Sequence, residues 1–312
     1  MTFPLTVHEI DSTMNTIPDI QNSERAQWIM RARQRTYWIA TAVQITQICT
    51  SVIAPALFAT IAFENPEARA PLAATSLLLL LLDIFVLDRA QTRLLEQAAK
   101  YGELFDCEVL DLPWNGFIAG VKPDREDIEA AAAAYSNSPT AIAAIRDWYP
   151  TSVGRAPIHV ARIVCQLANM RYDAKLRRRY AAILWILGAL SVSAALLLGW
   201  TVASLSLDQI VLTLFVPATP IIVWSFREAS RQSSAAAAQE RIKGSVDALW
   251  DTITNQSPDE ARRRAREFQD AIYQRRISSP LIFPLVYHLL RSKMESQMNK
   301  GAEERLVEAG FG

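Results

Sequence analysis

AAILWILGALSVSAALLLGWTVA, residues 181–203, decides the fold. The run carries no charged side chain. A helix crosses about 30 Å of hydrocarbon with about 20 mostly apolar residues, so this stretch is long enough to span a bilayer. The basic segment KLRRRY, residues 175–180, lies directly before it. Working outward, three further segments have comparable length and polarity: Tyr37–Phe63, Pro71–Leu87 and Leu207–Phe226. The expectation is an all-α membrane protein with four transmembrane helices in two hairpins and a helical cytosolic domain.

The flanks set the orientation. Arg25, Arg31, Arg33 and Arg35 precede the first segment, Arg89 and Arg93 follow the second, and Arg227 and Arg231 follow the fourth. The link 64–69 carries two acids and one arginine, and the link 204–208 carries no base. Basic residues accumulate on the cytosolic side, which places both termini in the cytosol and the two short links outside. The chain divides into a cytosolic N-terminal helix (1–36), hairpin 1 (37–87), a cytosolic helical region (88–180), hairpin 2 (181–226) and a C-terminal helical region (227–312).

Composition narrows the function. The 312 residues are 51% hydrophobic, with 32 basic against 32 acidic side chains, so no basic surface for DNA or RNA is expected. Cys49, Cys107 and Cys165 are widely spaced, as are His8, His159 and His288. Neither a disulfide framework nor a metal site follows from such spacing. The polar start, with Asp11, Asp19 and Glu24, does not read as a signal peptide. No P-loop, HExxH or GxSxG is present, so an enzyme is not expected and no cofactor is implied.

Between the apolar segments, helical spacing predicts that the second segment continues through Leu94, Leu95, Ala98, Tyr101, Leu104 and Phe105. Helices are also expected at Asp124–Tyr135, Pro139–Trp148, Ile158 into the third segment, Ser234–Thr254 and Pro258–Arg276. A last segment, Leu281–Val307, is broken by Pro280 and Pro284. Asn22 or Ser23 is placed to cap the helix entering the first segment.

The stretches IPDIQN, RARQRTYW, ELFDCEVLDLPWNG, IRDWYP, VCQLANMRYDAKLRRRY and FQDAIYQRR resemble the SMODS-associated four-transmembrane effectors, from about Ile17 to Glu308. These are bacterial proteins of cyclic-oligonucleotide anti-phage defence (CBASS), encoded beside cGAS-like nucleotidyltransferases. The resemblance implies a multi-pass inner-membrane protein that senses a cyclic di- or trinucleotide. It further implies a homo-oligomer that oligomerises or opens to disrupt the lipid bilayer, causing abortive infection. An ion channel or transporter not gated by a cyclic nucleotide, or a membrane scaffold, fits the residue pattern as well.

A cyclic nucleotide requires guanidinium forks for phosphate and flat faces for bases. The matching motifs offer Trp114, Asn115, Arg146, Trp148, Tyr149, Gln166, Asn169, Tyr172, Arg177 and Arg178 as candidate ligand contacts. Packing is the competing role for Trp148 and Tyr149, and topology or headgroup binding for Arg177–Arg179. Within the first segment, Thr41, Gln44, Gln47 and Ser51 form one polar stripe, suited to a pore lining or to bonding a neighbouring helix. Asp83 is a candidate gate, placed to reach the interface or to pair with Arg35. Pro217 and Pro220 are expected to kink the fourth segment as a candidate hinge. Ser191, Ala195 and Gly199 give a small-xxx-small face for close packing.

Overall fold

The computed structural model describes residues 15–201, 206–248, 250 and 257–311. Among these residues every regular element is helical. Residues 1–14 (with His8), 202–205 and 251–256 lie outside the description, and with them the end of the third apolar segment, part of the link 204–208 and the end of the expected Ser234–Thr254 helix.

Helix α1, Glu24–Glu64, starts at Ser23, whose hydroxyl accepts from the Ala26 amide at 3.2 Å. That bond satisfies one of the free amides of the first turn, as an N-cap does. Helix α2, Pro66–Val109, turns back after Asn65. The two run antiparallel: Arg25 meets Glu108, Gln47 meets Asp83, and Arg69 meets the Ala62 carbonyl. Helix α3, Arg125–Ala133, packs on α1.

Helix α4, Ile158–Thr201, is unbroken from the helical body into the apolar run. After Leu207–Ile210 and a π turn at Val211–Phe215, helix α5, Val216–Ala248, returns along α4. Gly188 is what permits their approach, since a Cβ there would sit 2.7 Å from the Phe226 ring. Ala195, from the small-residue face, is buried in the same helix. Helix α6, Pro258–Ser278, and helix α7, Pro284–Glu308, complete the chain.

Among the described residues, α1, α2 and α4 are each long and apolar enough to cross a membrane. Their apolar runs point outward: Leu78 is 66% exposed and Trp200 is 86% exposed. Such continuous exposed apolar surface is unstable against water and matches a hydrocarbon surround, where a helix satisfies its own backbone. By contrast, Ile29, Met30, Tyr101, Phe105, Ile145, Tyr149, Ile163 and Leu306 close into one buried core in the helical body.

Several boundaries differ from the sequence reading. The helix expected over Pro139–Trp148 spans only Pro139–Ala143. A helix reaching Trp148 is excluded by Asp147, whose φ of 47° is incompatible with a right-handed helix. The helix expected from Ser234 is no separate element, because α5 runs through it. Pro284 opens α7 at its first turn, where its missing N–H costs nothing, instead of breaking it.

The prolines of the fourth segment, expected to kink it, both lie within the helix α5. Pro220 lies inside α5, and Pro217 follows a π turn. Pro55 follows the π turn Cys49–Ile53 in the same way. A proline ring crowds the carbonyl four residues earlier, and the wider π turn accommodates it.

Candidate ligand-binding site

A cavity of about 770 Å³ opens in the helical body where α1, α4 and the end of α6 converge. Helix α1 presents Arg33, Tyr37 and Thr41 to it, four residues apart and therefore on one face. Helix α4 presents Asn169, Asp173 and Arg177 by the same spacing. Arg275 and Arg276 enter from α6, and residues 279–282 form one wall.

The loop bearing Trp148 is fixed by the IPDIQN segment. Gln21 accepts from the Tyr149 amide at 2.7 Å and donates to its carbonyl at 3.2 Å. Asn22 donates to Asp147 at 2.8 Å and accepts from the Asp147 amide at 3.2 Å. These paired bonds hold the strained Asp147 backbone and turn Trp148 toward the cavity while Tyr149 enters the core.

Five guanidinium groups line the cavity, from Arg33, Arg35, Arg177, Arg275 and Arg276, against the single carboxylate of Asp173. Arg33 lies 4.5 Å from the Trp148 ring centroid and 5.1 Å from that of Tyr37. Arg35 lies 4.7 Å from the Trp38 ring centroid. The buried Nε atoms of Arg33, Arg35 and Arg275 have no hydrogen-bond partner. Arg177 donates to Asp173, Gln232 and the Pro280 carbonyl at 2.7, 2.8 and 2.7 Å. Burial and the neighbouring Arg177 charge lower the pKa of Arg275, so this arginine sits in a positive field. An anion in the cavity relieves that field, and the aromatic faces of Trp148, Tyr37 and Tyr135 supply surfaces for stacking.

Beneath the cavity lies a buried polar network. Asp106 is 1% exposed and accepts from the Tyr149 hydroxyl at 2.6 Å and Gln269 at 2.7 Å. The Arg276 guanidinium approaches the same carboxylate at 2.6 Å. Burial works against the Arg276 charge, but Asp106, Tyr149 and Glu103 outweigh it and raise its pKa. Burial raises the pKa of Glu103 even though Arg266 at 2.5 Å opposes the shift. Gly102 makes room for this layer, because a Cβ there would stand 3.1 Å from Arg33 and 3.2 Å from Arg276. The network thus fixes Arg276 from below.

Of the candidate contacts named from sequence, Trp148, Asn169, Tyr172 and Arg177 line this cavity. Tyr149 and Gln166 are buried beneath it; Gln166 donates to the Ala265 carbonyl at 2.8 Å and to Gln269 at 3.1 Å. Trp114 donates to the Gly120 carbonyl at 2.9 Å, and Asn115 donates to Asp270 at 2.8 Å, so both brace a loop elsewhere. Arg146 is exposed and does not line the cavity. Arg178 pairs with Glu240 and faces a second groove on the other side of α4. The sequence reading missed Arg33, Arg35, Tyr37, Trp38, Arg275 and Arg276 as contacts, although RARQRTYW and FQDAIYQRR contain all six.

The polar stripe of α1 is divided among three tasks. Thr41 lines the cavity. Gln44 donates to the Leu281 carbonyl at 3.3 Å. Gln47 donates to Asp83 at 2.8 Å, so Asp83 pairs with this glutamine on the adjoining helix and not with Arg35. The Ser51 hydroxyl is buried with no hydrogen-bond partner among the described residues. Gln47 therefore bonds a neighbouring helix, whereas Gln44 bonds the non-helical link between α6 and α7.

A curated relative, a probable CBASS effector molecule of Bacillus cereus strain VD146, is 24% identical over 70% of this chain and 72% of its own length. No solved structure matches the chain significantly. The family model described as the SMODS-associating 4TM effector domain matches residues 15–305, covering the apolar helices, the cavity and the network beneath it, and the chain belongs to that family.

Proposed function

We propose that this protein is a CBASS effector of the bacterial inner membrane that binds a cyclic di- or trinucleotide in the arginine-lined cavity and disrupts the bilayer in response. The observation that carries the reading is the cavity itself: five guanidinium groups and several aromatic faces against one carboxylate. Its volume of about 770 Å³ suits a nucleotide-sized ligand, since small-molecule sites run from about 300 to 1,000 Å³. Phosphate diesters pair with the guanidinium forks, and bases stack on the rings. Family membership and the curated relative named as a probable CBASS effector support the same assignment.

In this reading four helices span the membrane as two hairpins, α1 with α2 and α4 with α5, with termini and cavity on the cytosolic side. The basic flanks support that orientation. Four helices in one subunit leave little room for an aqueous path, so the disruptive form is a homo-oligomer with equivalent helices around an axis. Infection is answered by loss of membrane integrity in the host cell and arrest of phage spread.

The test is dye release from liposomes carrying the purified full-length protein, challenged with cyclic di-AMP, cyclic di-GMP, cyclic AMP–GMP and cyclic tri-AMP. At least one compound is expected to bind and to trigger release. If none binds and none triggers release, the reading is wrong. Release of equal size without any nucleotide would point instead to an ungated channel.

A further inference from the structure

The segment 279–283 joins α6 to α7 without helical structure, and its Pro280 and Leu281 carbonyls find their donors outside both helices. Buried carbonyls require donors from elsewhere. Here the donors come from three different helices that lead into the apolar runs. Gln44 of α1 donates to the Leu281 carbonyl at 3.3 Å, and Gln232 of α5 donates to the same oxygen at 2.9 Å. Arg177 of α4 donates to the Pro280 carbonyl at 2.7 Å and to the Gln232 side-chain oxygen at 2.8 Å.

Two successive peptide units thus tie together α1, α4 and α5. The same segment is also a wall of the cavity, through Ser279, Pro280, Leu281 and Ile282. Pro280 and Pro284 restrict its backbone, so a displacement at one end is passed along it. At its far end Ile282 and Phe283 pack against Tyr180, Leu184 and Ala229, where α4 and α5 approach the apolar region.

We infer that segment 279–283 is a strap that holds α1, α4 and α5 in their ligand-free packing, and that an anion in the cavity releases it by drawing Arg177 away from the Pro280 carbonyl. The inference rests on the cavity being the nucleotide site. A phosphate oxygen is a stronger acceptor for a guanidinium than a neutral carbonyl is, because both partners of the bond are then charged and the fork can engage two oxygens. Once Arg177 turns to the ligand, the Pro280 carbonyl loses its donor and the shared contact with Gln232 is broken. Ligand binding and the packing of three helices then compete for one side chain. Such competition supplies the differential contact between two states that a ligand-driven change requires.

The test uses full-length protein in liposomes and the same four cyclic nucleotides. Gln44→Leu removes one tie and is expected to raise ligand-free dye release about five-fold, the factor that one ordinary hydrogen bond represents. Unchanged ligand-free release would count against the strap. A second variant carries Cys49→Ser, Gln44→Cys and Leu281→Cys, bridged by a short bifunctional methanethiosulfonate. Bridged protein is expected to bind nucleotide yet release no dye, and a reductant restores release to the level of the unbridged protein.

That recovery separates a locked strap from a misfolded variant. Bridged protein that still releases dye on adding nucleotide overturns the strap. So does bridged protein that no longer binds nucleotide, because the segment is then only a wall of the site. If the unmodified protein binds none of the four compounds, the nucleotide reading fails and the strap falls with it. If it binds and releases dye but bridging changes neither, only the strap is lost.

Discussion

Replacing Arg33 by alanine isolates the cavity's phosphate chemistry better than any other single change. Its guanidinium lies 4.5 Å from the Trp148 ring centroid and 5.1 Å from that of Tyr37, so the side chain is pre-oriented before ligand arrives. Its buried Nε has no hydrogen-bond partner. One charge-assisted hydrogen bond contributes about 1.5–3 kcal/mol, which corresponds to roughly 10- to 150-fold in affinity. Fold stability changes less, because each cation–π contact contributes about 0.5–1 kcal/mol at partly exposed sites. The expected result for Arg33→Ala is therefore a loss of at least 10-fold in nucleotide affinity with a small change in thermal unfolding. Arg33→Lys keeps the charge without the planar fork and recovers only part of the loss. Titration calorimetry at two salt concentrations reads the affinity, and the wild-type value falls more steeply with salt because the lost contact is ionic; a thermal melt reads the stability. An affinity for Arg33→Ala within two-fold of wild type refutes the assignment of Arg33 to the ligand.

Two further predictions concern the framework. Asp106→Asn keeps the shape of a side chain that is 1% exposed but leaves the Arg276 charge without its carboxylate partner. Breaking a buried pair in this way costs about 3–5 kcal/mol, a large part of the roughly 5–15 kcal/mol that holds a domain together. Denaturant unfolding in detergent should show that loss, and Arg276→Gln added to it should recover part; a loss below about 1 kcal/mol contradicts the network. The second prediction concerns Asp247. Partial burial opposes its charge, but Lys243 and Arg305 outweigh burial and hold its pKa below the ordinary 3.8. A depressed folded-state pKa adds stability above the unfolded value, and that stability is lost as pH falls through the folded value. Asp247→Asn should therefore be less stable than wild type at pH 7, with the gap closing below about pH 3.8; a constant gap refutes the pairing.

The apolar helices were legible because a long uncharged run with basic residues at one end has few alternatives in water. Their continuity into the helical body was legible for α2 and α4, where the three- and four-residue spacing of Leu94 to Phe105 and of Val160 to Leu167 persists. It was hidden for α5, because Ser233, Ser234 and the alanines after them carry little hydrophobic contrast. The cavity was legible in half. Trp148, Asn169, Tyr172 and Arg177 stood out by residue type within short motifs. Arg33 and Arg35 read as topology determinants, since a basic helix end looks the same whether its side chains meet lipid headgroups or turn inward. What turns them inward is the phase of α1 against α4 and α6, which are distant in sequence. The tie between Gln44 and Leu281 was illegible for a related reason: a backbone carbonyl carries no sequence signal.

The arginine count also bears on why the ligand should carry more than one phosphate. Moving a two-state protein from 1:99 to 99:1 requires about 5.5 kcal/mol of differential binding. A single phosphate paired with one guanidinium contributes about 1.5–3 kcal/mol, and only the part realised in the released state counts. One phosphate therefore falls short, whichever arginine it meets. Two phosphates, one at Arg33 and one between Arg177 and Arg275, reach about 3–6 kcal/mol before stacking on Trp148 is added. Relief of the positive field around Arg275 acts in the same direction. A cyclic mononucleotide should thus enter the cavity and compete with a cyclic dinucleotide at high concentration, yet release little dye from liposomes. Full release by cyclic AMP or cyclic GMP alone, at concentrations matched for occupancy, would show that a single phosphate suffices and that the energy for opening comes from elsewhere in the fold.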